Sequence, residues 1–397
     1  MPRVEYVTID TNQDLAELCE RARRSGRLGI DTEFLWERTY SPQICLVQMN
    51  VEDEVFIVDP LEGDIDLTPV AALISDPDVQ IVMHAPHADL VAFAMRHDAR
   101  PTNIFDTQLA AGFTGLSAGL AYEKLVHEVT RRRVQPSESF TDWSRRPLGE
   151  KQLRYAGEDV EHLFAVADRI VDRVEQLGRG DWMREELTRR FEGVDRYVTR
   201  PDEAWRKVGR RGKLGPDDLA VLREVAAWRE QLARTRDLPV GWIAKDPTMI
   251  EIARRKPRTA KDASRVRGVD SSMKQRDLTE LLEHVARGRA AEPIVEEGPP
   301  PLRGVRRRTT VAKGLSNALL RARCEAEDIA SELVGTSSDV EDLVTWISAG
   351  RPTDHELPFL LRGWREPFGN DIVDLVEGRV QLQLVDQDPY LVIHRAD

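Results

Sequence analysis

Apolar residues recur along this chain with two periods. Up to about residue 110, short runs of strand length alternate with helical spacing, and beyond it helical spacing dominates. Val4 to Ile9 reads as a strand, followed by a helix that Thr11 or Asn12 can cap, with Leu15, Leu18 and Cys19 on one face. Arg27 to Phe34, Gln43 to Met49 and Glu54 to Val58 read as three more strands. The turn residues Asn50 to Asp53 join the last two, which predicts an antiparallel meander at the start of a sheet. Leu67 to Ser75 has helical spacing, and Val79 to Met83 is a short buried strand. Pro86 to Arg96 is a helix turning Leu90, Phe93 and Ala94 toward a core. Ile104 to Asp106 is a last short strand leading into a helix over Thr107 to Phe113. Helices over 118–127 and 149–176 follow, with helical pattern to about 192.

A boundary is expected near 193–204. From Pro216 the pattern is helical, with Asp217 and Asp218 at a helix start and Leu219, Leu222, Val225, Ala226 and Trp228 on one face. Pro239, Pro247 and Pro257 separate short helices, and Leu278 to Ala286 closes the unit. Ala291 to Leu302 is a linker rich in Pro, Glu and Gly. A third helical unit places Leu315, Leu319, Leu320, Ile329, Leu333, Leu343, Trp346, Ile347, Phe359, Leu360 and Trp364 at apolar positions. The tail Val380 to Ile393 fits either a strand pair or an appendage. The expected division is 1–195, 205–290, a linker over 291–302, 303–380, and a tail over 381–397.

Composition narrows the class. Of 397 residues, 41% are hydrophobic and 32% charged, which describes a globular chain. No apolar run reaches the ~18 residues needed to cross a bilayer, and Met1 to Glu5 has no apolar signal core. Cys19, Cys45 and Cys324 are odd in number and far apart, so neither a disulfide framework nor a zinc knuckle is indicated. A reducing, cytoplasmic setting is expected. The net charge of −12 hides a split: residues 201–290 carry 21 Lys and Arg against 14 Asp and Glu. A basic module on an acidic one suits a protein that holds a polyanion in one place and metal cations in another.

Three elements carry candidate chemistry. Asp31 and Glu33 lie two apart on a strand, so their carboxylates share a face and repel. A divalent cation such as Mg²⁺ or Mn²⁺ removes the conflict; an acidic pair at a solvated strand end is the ordinary alternative. Asp89 sits early in the helix after the Val79 to Met83 strand, where an α/β protein presents ligands to a cleft. It equally suits the positive end of the helix dipole. Tyr155 and Asp159 are four apart on a helix and face one site, or stand as a surface pair.

Taken together, their order resembles the DEDD superfamily of 3′–5′ exonucleases, in the subclass marked by tyrosine. Flanking residues narrow the resemblance to the ribonuclease D family. They are Asp31-Thr32-Glu33-Phe34, Thr39-Tyr40-Ser41-Pro42-Gln43, Val58-Asp59-Pro60-Leu61, His84 to Leu90 and Phe105-Asp106-Thr107-Gln108. Ser137 to Trp143, then Arg146-Pro147-Leu148 into Tyr155 and Asp159, add to it. Trp205 to Ala290 resembles the HRDC helical nucleic-acid-binding domain, notably in Leu222 to Trp228 and Arg236-Asp237-Leu238-Pro239. The third unit, through Leu361 to Arg365, is similar to a second, more diverged HRDC-like domain.

The resemblance implies an α/β ribonuclease H-like exonuclease domain, a mixed sheet flanked by helices, followed by two all-α HRDC-type domains. It implies Asp31, Glu33, Asp89 and Asp159 as carboxylates for two divalent cations, Mg²⁺ or Mn²⁺, and Tyr155 as the residue positioning water. The activity implied is 3′–5′ exoribonuclease release of 5′-mononucleotides, with tRNA precursors as substrate and a monomeric protein. Phe34 and His84 are candidates to stack on a strand end. Arg210, Arg211, Lys213, Arg254, Arg255 and Lys256, with Arg258 and Lys261, are candidates to track phosphates. A DNA exonuclease of the same chemistry and a non-catalytic HRDC adaptor are the alternatives. A zinc hydrolase is disfavoured, since no His-Glu-x-x-His or paired cysteines occur.

Overall fold

One mixed sheet of six strands organises the N-terminal part. The strands are β1 (Val7–Ile9), β2 (Arg27–Leu35), β3 (Gln43–Val51), β4 (Glu54–Val58), β5 (Gln80–Met83) and β6 (Ile104–Asp106), in the order β1-β4-β3-β2-β5-β6. The structure, a computed structural model, describes residues 6–134, 141–191, 193, 196–209, 214–269, 274–295, 302, 306–386 and 391–395. Val4 and Glu5 of the expected first strand, and Ser137 to Phe140, lie outside the described residues. β2, β3 and β4 form the expected antiparallel meander. Glu52 and Asp53 close its second hairpin with both φ positive, 55° and 64°, the turn that matches right-handed strand twist. β1 joins β4 in parallel, and β5 and β6 extend the sheet in parallel beyond β2.

Among the described residues, eight α-helices accompany the sheet: α1 (Asn12–Ser25), α2 (Thr68–Ile74), α3 (His87–His97), α4 (Thr107–Ala111), α5 (Tyr122–Thr130), α6 (Glu150–Glu161), α7 (Leu163–Gln176) and α8 (Gly180–Phe191). Thr11 is the cap of α1, its hydroxyl accepting from the Asp14 N–H at 3.1 Å. Three expectations are corrected. The helix expected over 118–127 runs from Tyr122 to Thr130, and α4 stops at Ala111, passing into a 3₁₀ turn over Gly112–Thr114. The helix expected over 149–176 is two helices that break at His162. There the Asn50 side chain, on β3, donates to the Val160 carbonyl at 3.0 Å. The apolar period runs through the break unaltered, so the sequence pattern does not mark it.

Strand alternation sorts the layers. A Cβ built on Gly29 would touch Phe164 and Leu163 at 3.4 and 3.5 Å, so α7 covers the face shared by Gly29, Asp31 and Glu33. Thr32 points to the other face and meets Asp89 on α3.

The middle unit contains α9 (Pro216–Arg236), α10 (Val240–Ile243), α11 (Asp246–Arg255), α12 (Ala260–Ala263) and α13 (Gln275–Ala290). It has its own core of Trp205, Leu222, Val225, Met249, Ile252, Leu281 and Val285. The Asp237 carboxylate, at the end of α9, accepts from the Tyr40 and Ser41 N–H groups at 3.0 and 3.3 Å and pairs with Arg96 at 3.1 Å. Tyr40 also donates to Glu230 at 2.6 Å. The loop after β2 is thereby fastened to the helical unit.

The last part holds α14 (Arg306–Ala326), α15 (Ser331–Val334), α16 (Ser337–Ser348), α17 (Glu366–Val376) and an antiparallel hairpin, β7 (Val380–Leu384) with β8 (Leu391–Arg395). Its apolar residues belong to the same continuous core as the sheet and its helices. Trp364 stacks on Trp182 of α8 at 5.5 Å and meets Phe113 edge-on at 5.2 Å. Arg365, 2% exposed, pairs with Glu186 at 2.6 Å and donates to the Leu333 and Val334 carbonyls. Among the described residues no helix is long and apolar enough to cross a membrane.

Candidate active site

Asp31, at the middle of β2, and Glu33, in its second half, project from the α7-covered face, and a register shift follows between Glu33 and Phe34. α6 brings Asp159 to the same place. One carboxylate oxygen from each of Asp31, Glu33 and Asp159 lies within 4.8 Å of the others. The Tyr155 hydroxyl, one turn earlier on α6, hydrogen-bonds to Asp159. Its ring lies 6.1 Å from that of Trp143. Trp143 sits in a loop anchored by Arg146, which donates to both oxygens of Asp59 at 2.5 and 2.6 Å and to the Cys45 carbonyl at 2.8 Å. α6 approaches closely because residue 157 is glycine: a Cβ there would lie 2.4 Å from the Tyr6 ring.

Asp89 stands beside this trio, outside it. It is 7% exposed, in the first turn of α3, and accepts a hydrogen bond from the Thr32 hydroxyl. Its charge still acts on Asp31 and Glu33. The turn before it is held by Ala85, at φ 52°, whose N–H donates to Asp106 at 2.9 Å.

Burial and mutual repulsion set the electrostatics. Burial, with Asp89, Asp159 and Glu33 nearby, holds Asp31 well above the usual carboxylate range. Burial first, then Asp159 and Asp89, push Glu33 up to about 8. Burial lifts Asp159 to about 7, against the Tyr155 hydrogen bond, and Asp89 to about 6, against the Thr32 hydrogen bond. Four acids so placed are poorly compensated by the protein itself, and all their donor atoms are hard oxygens. The set fits Mg²⁺ or Mn²⁺ and lacks the nitrogen and sulfur ligands that favour zinc. Gln48, across from Asp31 in the register and fully buried, has no amide partner among the described residues.

A cavity of about 320 Å³ opens over these groups, walled by Asp31, His84, Gln108, Tyr122, Tyr155 and Asp159 among others. Thr107 donates its hydroxyl to the Met83 carbonyl, so it accepts from His84 Nδ1 at 3.0 Å. Burial pulls His84 down to about 4, which makes it a neutral ring in the wall, 5.3 Å from the Tyr122 ring. Phe34 is half-buried and belongs to no core cluster. Arg254 is exposed, whereas Arg255 pairs with Glu251 at 2.5 Å and Lys256 with Asp218 at 2.9 Å. Arg210, Arg211 and Lys213 lie outside the described residues.

Sequence reasoning missed Thr32, Gly157, Tyr122, Gln108 and the Arg146–Asp59 pair as parts of the site. Thr32 had a signal, since it lies between the two acids and must point the other way. Asp59, Gln108 and Arg146 stand in the motifs quoted above with no role attached to them, and Gly157 and Tyr122 are single residues brought in by contacts distant in sequence.

Comparison with known proteins agrees with this geometry. A family model described as 3′–5′ exonuclease matches residues 6–175, and the HRDC domain model matches residues 218–285. Ribonuclease D of Gluconacetobacter diazotrophicus is 36% identical over 385 residues, covering 95% of this chain and 94% of that protein. Ribonuclease D of Sphingobium indicum is 35% identical over 376 residues, covering 94% and 95%. The crystal structure of Escherichia coli RNase D, an exoribonuclease involved in structured RNA processing, is 28% identical with a TM-score of 0.74, covering 94% of this chain and 99% of that one. With likeness running through nearly the whole length of each relative, this chain belongs to the ribonuclease D family of 3′–5′ exoribonucleases.

Proposed function

We propose that this protein shortens RNA from the 3′ end by metal-dependent hydrolysis, releasing 5′-mononucleotides, and that tRNA precursors are among its substrates. The observation that carries the reading is the convergence of one carboxylate oxygen each from Asp31, Glu33 and Asp159 to within 4.8 Å, with Asp31, Asp159 and Tyr155 lining a cavity. In this reading Asp31, Glu33 and Asp159 would hold one divalent ion, and Asp31 with Asp89, directly or through water, would hold the other. Bound ions supply the positive charge that activates water and stabilises the leaving 3′-oxygen. The chain's own residues do the positioning. Tyr155, fixed by Asp159 and by the Trp143 ring, orients the attacking water. Thr32 holds Asp89 in place, and neutral His84 shapes the wall without adding charge. The division into an exonuclease domain over 1–195, an HRDC domain over 205–290 and a further helical unit over 303–380 belongs to the same proposal, as do a monomeric state and a cytoplasmic setting.

The test uses RNA and DNA of one sequence, labelled at either end and incubated with Mg²⁺ or Mn²⁺. Stepwise shortening of 5′-labelled RNA, immediate mononucleotide release from 3′-labelled RNA, and arrest by EDTA are expected. Faster cleavage of DNA would move the assignment to a DNA exonuclease. No cleavage of either would leave the adaptor reading.

A further inference from the structure

β3 carries two buried amides that the mechanism above does not use. Most of this strand is apolar core, with Cys45, Leu46, Val47, Met49 and Val51 fully buried. Gln48 and Asn50 interrupt that run and are fully buried as well. Buried amides in folded proteins almost always have partners. Yet neither the oxygen nor the nitrogen of the Gln48 side chain has one among the described residues, and the Asn50 side-chain oxygen has none either. A leucine or methionine would fill the Gln48 position without leaving an amide unpaired.

The strand register defines what lies within reach. Gln48 stands directly opposite Asp31 on β2 and opposite Ile57 on β4. Residues so opposed on antiparallel strands present their side chains on one face, with Cβ atoms about 4.5–5.5 Å apart. Ile57 is apolar and offers no hydrogen bond. Glu33, opposite Leu46, lies on the diagonal, and Asn50 comes next along β3 on the same face. Asp31 is therefore the nearest polar side chain across the sheet. An ionised carboxylate only accepts, and the Gln48 amide supplies two N–H donors. With one of them on Asp31, the other is left for the unpaired Asn50 oxygen. Asn50 already donates to the Val160 carbonyl at 3.0 Å, and Val160 follows Asp159 in the chain.

We propose that Gln48 is a positioning residue for the metal site: its amide donates to Asp31 when a divalent ion is bound, and with Asn50 it ties the acid on β2 to the end of the helix that carries Asp159. The proposal rests on the metal-dependent reading above and adds to it a residue that touches neither ion nor RNA. A ligating carboxylate keeps lone pairs turned away from its ion, and a donor placed on them fixes its orientation and tightens binding.

The experiment titrates Mn²⁺ into the metal-free full-length protein and follows the loss of the free-ion EPR signal. Gln48→Met and Gln48→Leu remove the amide and keep a side chain of similar size. Both should weaken Mn²⁺ binding 10- to 100-fold, and the Mn²⁺ concentration giving half-maximal RNA cleavage should rise by the same factor. Without metal, both should melt no lower than the parent, because an unpaired buried amide stabilises nothing there. A residue needed only for packing behaves the other way, with a lower metal-free melting temperature and unchanged ion affinity. Mn²⁺ affinities within twofold of the parent for both variants overturn the proposal, as does failure of both to fold without metal. A parent that binds no Mn²⁺ overturns the metal-dependent function together with this proposal. A parent that binds and cleaves, beside variants that bind equally well, removes the role of Gln48 alone.

Discussion

At the residue scale, the site is a problem of like charges. Asp31, Glu33 and Asp159 are more acidic in the unfolded chain than in the folded one, so the folded protein holds protons the unfolded chain has released. Without divalent ions, stability therefore falls as pH rises from the ordinary carboxylate range near 4 toward 7–8. Cations compete with those protons, so the rise in melting temperature on adding Mg²⁺ or Mn²⁺ should be larger at pH 8 than at pH 6; an equal gain at both would deny the coupling. Thr32 makes a second, sharper case. Its hydrogen bond holds the Asp89 carboxyl down, so Thr32→Val should move the acidic limb of the pH–rate profile upward. It should also lower kcat/KM at neutral pH by about 10- to 100-fold, the usual cost of losing a group that orients a ligand. The acid pair was readable from strand alternation alone, because both members lie on one element. The Thr32–Asp89 contact was not, because it joins residues 57 apart on two elements.

At the scale of elements, α6 has to lie low over the sheet to deliver Asp159 to Asp31. Gly157 is what permits this, and Gly157→Ala would drive a methyl into the Tyr6 ring. A loss of about 1–3 kcal/mol is expected, with a fall in turnover because Tyr155 and Asp159 ride on the same helix. Unchanged melting temperature and kcat would show that α6 has room to spare. The break at His162 follows a similar logic. Asn50 takes the Val160 carbonyl that a continuous helix would use internally, which no helical periodicity encodes. The meander, by contrast, was legible from its turn residues and short apolar runs, and it appears in the expected order. The parallel docking of β1 on β4 was not, since strand neighbours separated by two intervening strands leave no local trace.

At the scale of the whole molecule, the C-terminal helices behave as part of the catalytic body. The sequence marks which of their positions are apolar but not what those positions pack against, and the answer is α8 and the turn after α4. Arg365 is the clearest test of that union. Its pair with Glu186 is almost fully buried, and Arg365→Met should cost about 3 kcal/mol in chemical denaturation. A smaller loss, below about 1 kcal/mol, would mean that the two parts lean on each other little. The middle unit keeps its own core yet holds the loop leading out of the acidic strand through Asp237 and Tyr40. Strand, helix and fastened loop all serve one arrangement, the cage of acids, and the most direct measurement is on that cage. Turnover and binding of a single-stranded RNA should be measured side by side for the parent, Asp31→Ala and Asp159→Asn in saturating Mg²⁺. The account predicts a drop in kcat on the order of 10³-fold or more for both variants, with RNA affinity within a few fold of the parent. Cleavage by either variant at a rate near the parent's would contradict it.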